Sequence, residues 1–271
     1  MDTITRILLR HQQRKLDILY PLLPEDACMQ AATALLAQPK GNCFIATGFY
    51  CFSQGETDGP PGSHFLAKAL QTLGFSPIIV TDSYSAAYFQ GQNYPTLLFG
   101  SGEKAPTLLD TYRPRALIAI ERCGRAADGR YYSMRKKDIS AHTPPIDELF
   151  LQKPQGCISI GIGDGGNEIG MGVYAETLSR QGTLIPSCVC TDYPIVATVS
   201  NWGAYGLIAA LEKGSGQKLL PSGTEAEAFL RKLADAGAPD GIRGPQHYST
   251  DGFPFSTDRS VLRALRQWSE S

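Results

Sequence analysis

The residues best able to do chemistry in this 271-residue chain lie in short glycine-rich runs that also carry acids. The longest is Gly161-Ile-Gly-Asp-Gly-Gly-Asn-Glu-Ile-Gly170. Between a strand and a helix, such a run aims free N–H groups and the positive end of a helix dipole at an anion. Backbone donors at Gly163, Gly165 and Gly166, with Asn167 beside them, would then bind the substrate's anionic group and stabilise an oxyanion. Asp164 and Glu168 supply carboxylates for a cation, an amine or proton transfer. The run also contains G-x-G-x-x-G, the dinucleotide fingerprint. Asp164 stands where a pyrophosphate would lie, and Asp192 is farther downstream than the usual spacing of about twenty residues, so a nucleotide is disfavoured. The structural alternative is that Asn167 merely caps a helix and the glycines merely allow close packing.

Three further segments add polar groups. In Gln54-Gly-Glu-Thr-Asp-Gly-Pro-Pro-Gly62, Glu56 and Asp58 would bind a substrate ammonium, flanked by Thr57 and Gly59. With Asp164, the two acids would alternatively make an oxygen-rich site for Mg or Mn, the one cofactor left open. The run from Glu121 to Arg135 offers Glu121 as a further acid or base. Arg125 and Arg130 there are forks suited to a carboxylate; the alternative is a basic loop docked on Asp138 or other acids. In Ser200-Asn-Trp-Gly203, Asn201 and Trp202 either wall the pocket or serve as a cap and a core residue. The candidate catalytic groups are therefore Asp164, Glu168 and Glu121.

Positioning these residues falls to apolar runs that alternate with amphipathic helical stretches. Strands are predicted over 43–48, 77–82, 116–120, 157–162 and 188–191, apolar on both alternating faces as helix-covered strands are. Helices follow Ser63 and Ser256, and Thr224 with Glu227 reads as a capping box. The fold class is α/β, a doubly wound and mainly parallel sheet with helices on both faces, a Rossmann-like three-layer arrangement. Polar pairs end each strand: Thr47-Gly48, Thr81-Asp82, Glu121-Arg122, Gly163-Asp164 and Thr191-Asp192. Ligands of open α/β sheets bind outside the carboxyl ends, so the five pairs are expected to face one crevice. Residues 1–271 read as a single domain, with the poorly patterned stretch 91–114 as an excursion or small lobe.

The formal net charge of -1 argues against nucleic acid or an anionic membrane as the main partner. No apolar run is long enough to span a bilayer. Seven scattered cysteines and only four histidines speak for reduced, buried thiols and against zinc. Residues 2–19 read as an amphipathic helix in a cytoplasmic protein. Arg6, Arg10, Arg14 and Lys15 leave a presequence, and hence the mitochondrial matrix, as the alternative.

Four segments together, Gly55 to Gly62, Gly124 to Tyr132, Gly161 to Gly172 and Val199 to Ala204, resemble the C-terminal domain of the D-glutamate cyclase family. The similarity runs from about the first strand to Asp251-Gly252. It implies reversible, cofactor-independent dehydration of D-glutamate to 5-oxo-D-proline. The mitochondrial member carries a further hydro-lyase-like domain without counterpart in these residues, so a partner domain or a homo-oligomer is an expected assembly. The competing expectations are a non-catalytic domain binding an acidic amino acid or nucleotide, and a dinucleotide-dependent dehydrogenase.

Overall fold

A run such as Ala116-Leu-Ile-Ala-Ile120 has no polar alternate, so it is accommodated only in a sheet covered on both sides. The computed structural model describes residues 3–11, 16–100, 102 and 104–271, and places this run in a six-stranded parallel sheet. Its strands are β1 (Asn42–Thr47), β2 (Ser76–Thr81), β3 (Thr96–Leu98), β4 (Ala116–Ile120), β5 (Ile158–Gly163) and β6 (Tyr193–Val196). The spatial order is β3-β2-β1-β4-β5-β6. The order therefore reverses between β1 and β4, the point where ligand crevices form in such sheets. Thr47 pairs with Ile120, and Ile120 with Ile162. That register sets the carboxyl ends of β1, β4 and β5 side by side.

The described helices are α1 (Ile4–Leu8), α2 (Ala27–Leu36), α3 (Pro60–Thr72), α4 (Ala105–Tyr112), α5 (Glu148–Leu151), α6 (Ala175–Gln181), α7 (Ser200–Ser215), α8 (Gly223–Asp235) and α9 (Phe255–Ser269). Cys43 and Ile45 of β1 face one apolar core with Leu66 and Leu70 of α3 and Leu207 and Ile208 of α7. Phe44 and Ala46 face the other, with Leu108 and Leu109 of α4 and Leu149 of α5. The result is a three-layer α/β fold. Every residue of α7 from Ser200 to Glu212 is buried, because α2, α3 and α9 cover the sides that the sheet does not.

Several expected boundaries move. The fifth expected strand, 188–191, is not part of the sheet; the last strand is Tyr193–Val196. Cys188 and Cys190 are exposed there, and Asp192 precedes a strand instead of following one. The capping box is Ser222 with Glu225, not Thr224 with Glu227. The Ser63 helix begins three residues earlier, at Pro60, whose missing N–H costs nothing in a first turn. The stretch 91–114 supplies edge strand β3 and helix α4. The expected helix over 2–19 is α1 followed by a 3-10 turn at Leu16–Leu22. Residues 12–15, with Arg14 and Lys15, lie outside the described residues.

Candidate functional site

Two strand ends and one loop bring three acids together. Glu121 follows β4, Asp164 follows β5, and Asp58 comes from the loop between β1 and α3. One carboxylate oxygen from each lies within 4.8 Å of the other two, and all three residues are buried. At an effective dielectric of about 20, two carboxylates about 5 Å apart repel by about 3 kcal/mol. Three such pairs make the cluster a place for positive charge: a metal ion, an ammonium or a shared proton. Glu121 holds a left-handed backbone with φ of 46°, a conformation that costs a β-carbon-bearing residue energy and is concentrated at functional sites.

The acids are fixed by an exchange of caps between two helices. Asp58 accepts N–H bonds from Ser200 (2.8 Å) and Asn201 (2.7 Å), the first residues of α7, and from Gly59 (2.9 Å). Asn201 returns the contact: its Oδ1 accepts from Gly59 (3.1 Å) and Gly62 (2.8 Å) at the start of α3, and its Nδ2 donates to the Thr57 carbonyl (3.1 Å). Each helix thus has its orphan N–H groups satisfied by a residue at the other's start. The Ser200 hydroxyl donates to Glu121 at 2.7 Å and orients the second acid. Gly59 has φ of +96°, and a β-carbon there would lie 2.7 Å from Thr47 Oγ1 and 2.9 Å from Glu121 Cβ. Only glycine fits.

The glycine loop after β5 departs from expectation. It does not open a helix; the next α-helix begins at Ala175. Glu168 turns back and accepts the Gly165 and Gly166 N–H groups at 2.8 and 2.7 Å. The donors expected to hold a substrate anion are therefore taken by the protein's own carboxylate, which also removes the cradle a dinucleotide would need. Asn167 donates to the Tyr132 carbonyl at 2.8 Å and caps no helix. Gly163 ends β5, and its carbonyl accepts from Ala197.

The arginines are engaged elsewhere. Arg125 makes a forked pair with Asp147 at 2.7 and 3.1 Å, and this bonding raises its already high pKa. Tyr131 donates to the same carboxylate at 2.7 Å. Arg130 is 64% exposed and lies 3.7 Å from Asp138, the docking alternative weighed from sequence. Arg122, outside the candidate set, is the one Lys or Arg fully buried among the described residues. It pairs with Asp82 and donates to the carbonyls of Gly48 (2.8 Å) and Pro144 (2.7 Å), tying the ends of β1, β2 and β4 together.

Glu56 is not in the acidic triad; Glu121 takes the place expected for it. A β-carbon on Gly241 would lie 2.2 Å from Glu56 Oε2 and 3.2 Å from Asp251 Oδ1, so Glu56 packs against the segment 239–252. Thr57 is pinned to that segment too, through its N–H to Pro239 and its hydroxyl to the Ser249 carbonyl. Trp202 lies in the core and donates its indole N–H to Asp258 at 2.9 Å. Burial pushes the Asp258 carboxyl up to about 7 against that stabilising bond. Sequence reasoning missed Ser200 and Asp258, whose partners Glu121 and Trp202 are 79 and 56 residues away, and Asp240, which bonds Ile242, Arg243, Ser249 and Gly252 nearby. The Asp-Gly pairs at 240–241 and 251–252 were the available signal.

Of the expected polar strand ends, those of β1, β2, β4 and β5 share the carboxyl edge. Asp192 instead bonds Ser159, near the start of β5, at the opposite edge. The molecule is thus a three-layer α/β protein with a buried acidic cluster at its topological switch point. A family model described as "D-glutamate cyclase-like, C-terminal" matches residues 7–266. The chain belongs to that family. It is 35% identical to human "D-glutamate cyclase, mitochondrial" over 90% of its own length and 48% of that protein's. It therefore spans about half the length of this curated relative. A crystal structure of RecJ in complex with Mn2+ from Thermus thermophilus aligns with 97% of this chain and 30% of its own. At 15% identity and a TM-score of 0.43, that likeness is too distant to inform the site.

Proposed function

We propose that this protein is a D-glutamate cyclase-type lyase, catalysing the reversible dehydration of D-glutamate to 5-oxo-D-proline. The observation that carries the reading is family membership across residues 7–266, joined to a crevice whose buried acids suit an amino-group substrate. In the forward direction the ammonium loses a proton, the neutral amine attacks the side-chain carboxyl carbon, and water leaves from the tetrahedral intermediate. Asp164 and Glu121 would accept the two protons that the nitrogen loses in all and deliver them to the departing oxygen. The Ser200 hydroxyl orients Glu121, and Asp58 holds the α7 end in place. The described N–H groups of the Gly165 loop do not form the oxyanion site, because Glu168 fills them; the substrate carboxylate must be neutralised otherwise.

The purified chain, given D-glutamate with added magnesium or manganese, is expected to form 5-oxo-D-proline and to turn over the L enantiomer much less, read by chiral chromatography. Asp164→Asn keeps shape while removing basicity, and is expected to lower turnover about a hundredfold. Near-normal turnover in that variant would remove Asp164 from the chemistry. A second reading rests on length: with about half of the human relative matched, catalysis could require a partner domain. Binding of D-glutamate without product would favour it, whereas NAD as the only stabilising ligand would sink both readings.

A further inference from the structure

We propose that Asp58, Glu121 and Asp164, with the Thr47 hydroxyl, bind one divalent cation of the Mg2+ or Mn2+ type. The binding stands on geometry; the role of the ion in catalysis rests on the cyclase reading above. The first observation is the carboxylate triad, whose oxygens lie within 4.8 Å of one another. Oxygens on opposite sides of a hard divalent ion are about 4–5 Å apart, twice a bond of about 2.1–2.6 Å. The spacing suits ligands that share one ion.

The second observation is independent of charge. Thr47 is fully buried, and its Oγ1 has no hydrogen-bond partner among the described residues. It lies beside Gly59 and the Glu121 β-carbon: a β-carbon built on Gly59 would be 2.7 Å from Thr47 Oγ1 and 2.9 Å from Glu121 Cβ. A buried hydroxyl left without a partner is costly, and a cation would use its lone pairs. The donor set is all oxygen, which selects hard ions over zinc or copper. Cys123, next but one to Glu121, is withdrawn: burial raises its thiol pKa, and its Sγ contacts the carbonyls of Gly124 and Tyr132.

The charge of the triad favours such an ion. D-glutamate brings two carboxylates, and three buried carboxylates would repel them. Arg122, the buried cation nearest in sequence, is already engaged with Asp82. A divalent ion reverses the sign locally and leaves coordination positions for the side-chain carboxylate. It would supply the neutralisation that the Gly165 loop does not.

The test uses the full chain stripped with EDTA and titrated with Mn2+, the free ion being followed by electron paramagnetic resonance. One ion per chain is expected, with a rise in melting temperature that depends on Mn2+ concentration. Asp164→Asn and Glu121→Gln are each expected to weaken binding at least tenfold. Because each removes a repelling charge, the metal-free variants should melt no lower than the metal-free parent, while the Mn2+-dependent rise disappears. Thr47→Val is expected to weaken binding several-fold while its metal-free form melts no lower than the parent, because it removes a buried hydroxyl without a partner. Absence of Mn2+ binding, or undiminished binding in both carboxylate variants, overturns the site. Turnover measured in parallel separates the two claims. Stoichiometric binding without product defeats the cyclase reading alone, and full turnover in EDTA without binding defeats the ion site alone.

Discussion

Two loops of nearly the same composition reach opposite solutions. Residues 54–62 and 164–170 both follow a parallel strand, and both are rich in glycine and acid. In the first, Asp58 reaches across to α7 while Asn201 reaches back to α3, so the loop is held by a distant segment. In the second, Glu168 closes on Gly165 and Gly166, only three and two residues away. The first loop builds the floor of the crevice by coupling two helices. The second only shapes itself, and so delivers Asp164 without offering an anion hole. Composition identifies a loop that needs N–H acceptors; it does not say who accepts.

The difference can be broken at its strongest point first. Asp58→Ala leaves the buried Ser200 and Asn201 N–H groups without their acceptor, Gly59 keeping Asn201 Oδ1, and is expected to cost about 2–4 kcal/mol in urea unfolding, some of the loss being offset by relieved repulsion in the triad. Hydrogen exchange should quicken at the starts of both α3 and α7. Exchange confined to the 56–62 loop would show that the helices are not coupled. Asn201→Ala removes the reciprocal cap and is expected to cost about 2 kcal/mol. A variant that keeps its melting temperature yet loses D-glutamate affinity would return Asn201 to the pocket wall.

Smaller effects sharpen the other side. Glu168→Gln keeps one acceptor of two and is expected to cost about 1 kcal/mol, with faster exchange at Gly165 or Gly166 and none at α7. Arg130→Ala is expected to change stability by less than about 0.5 kcal/mol, as exposed pairs do, and to leave D-glutamate affinity unchanged. A large loss of affinity would restore the substrate-clamp role given to Arg130 by the sequence pattern.

The layers were legible because strands buried on both faces leave an unmistakable apolar run, and because every loop of the crevice follows a strand. Asp164 and Glu121 could be picked out as acids at strand ends, and Asp58 as an acid in a glycine-rich loop. Their partners could not be. Glu56 and Asp58 are two residues apart, yet one packs against segment 239–252 and the other caps α7. The β6 boundary slipped because Cys188-Val-Cys-Thr191 looks like a strand but packs through isolated bridges at Cys190. Arg125 looked available only because Asp147, its acceptor, is twenty-two residues away.

The exchanged caps also bear on how the chain folds. Asp58 and Asn201 are 143 residues apart, and the contact from Gly62 to Asn201 spans 139. Neither helix start can be completed until β4, β5 and β6 are in place between them, so closing this loop carries a large entropic cost early in folding. The crevice then belongs to the last steps of assembly, and substitutions at Asp58 or Asn201 would speed unfolding while leaving the folding rate almost untouched.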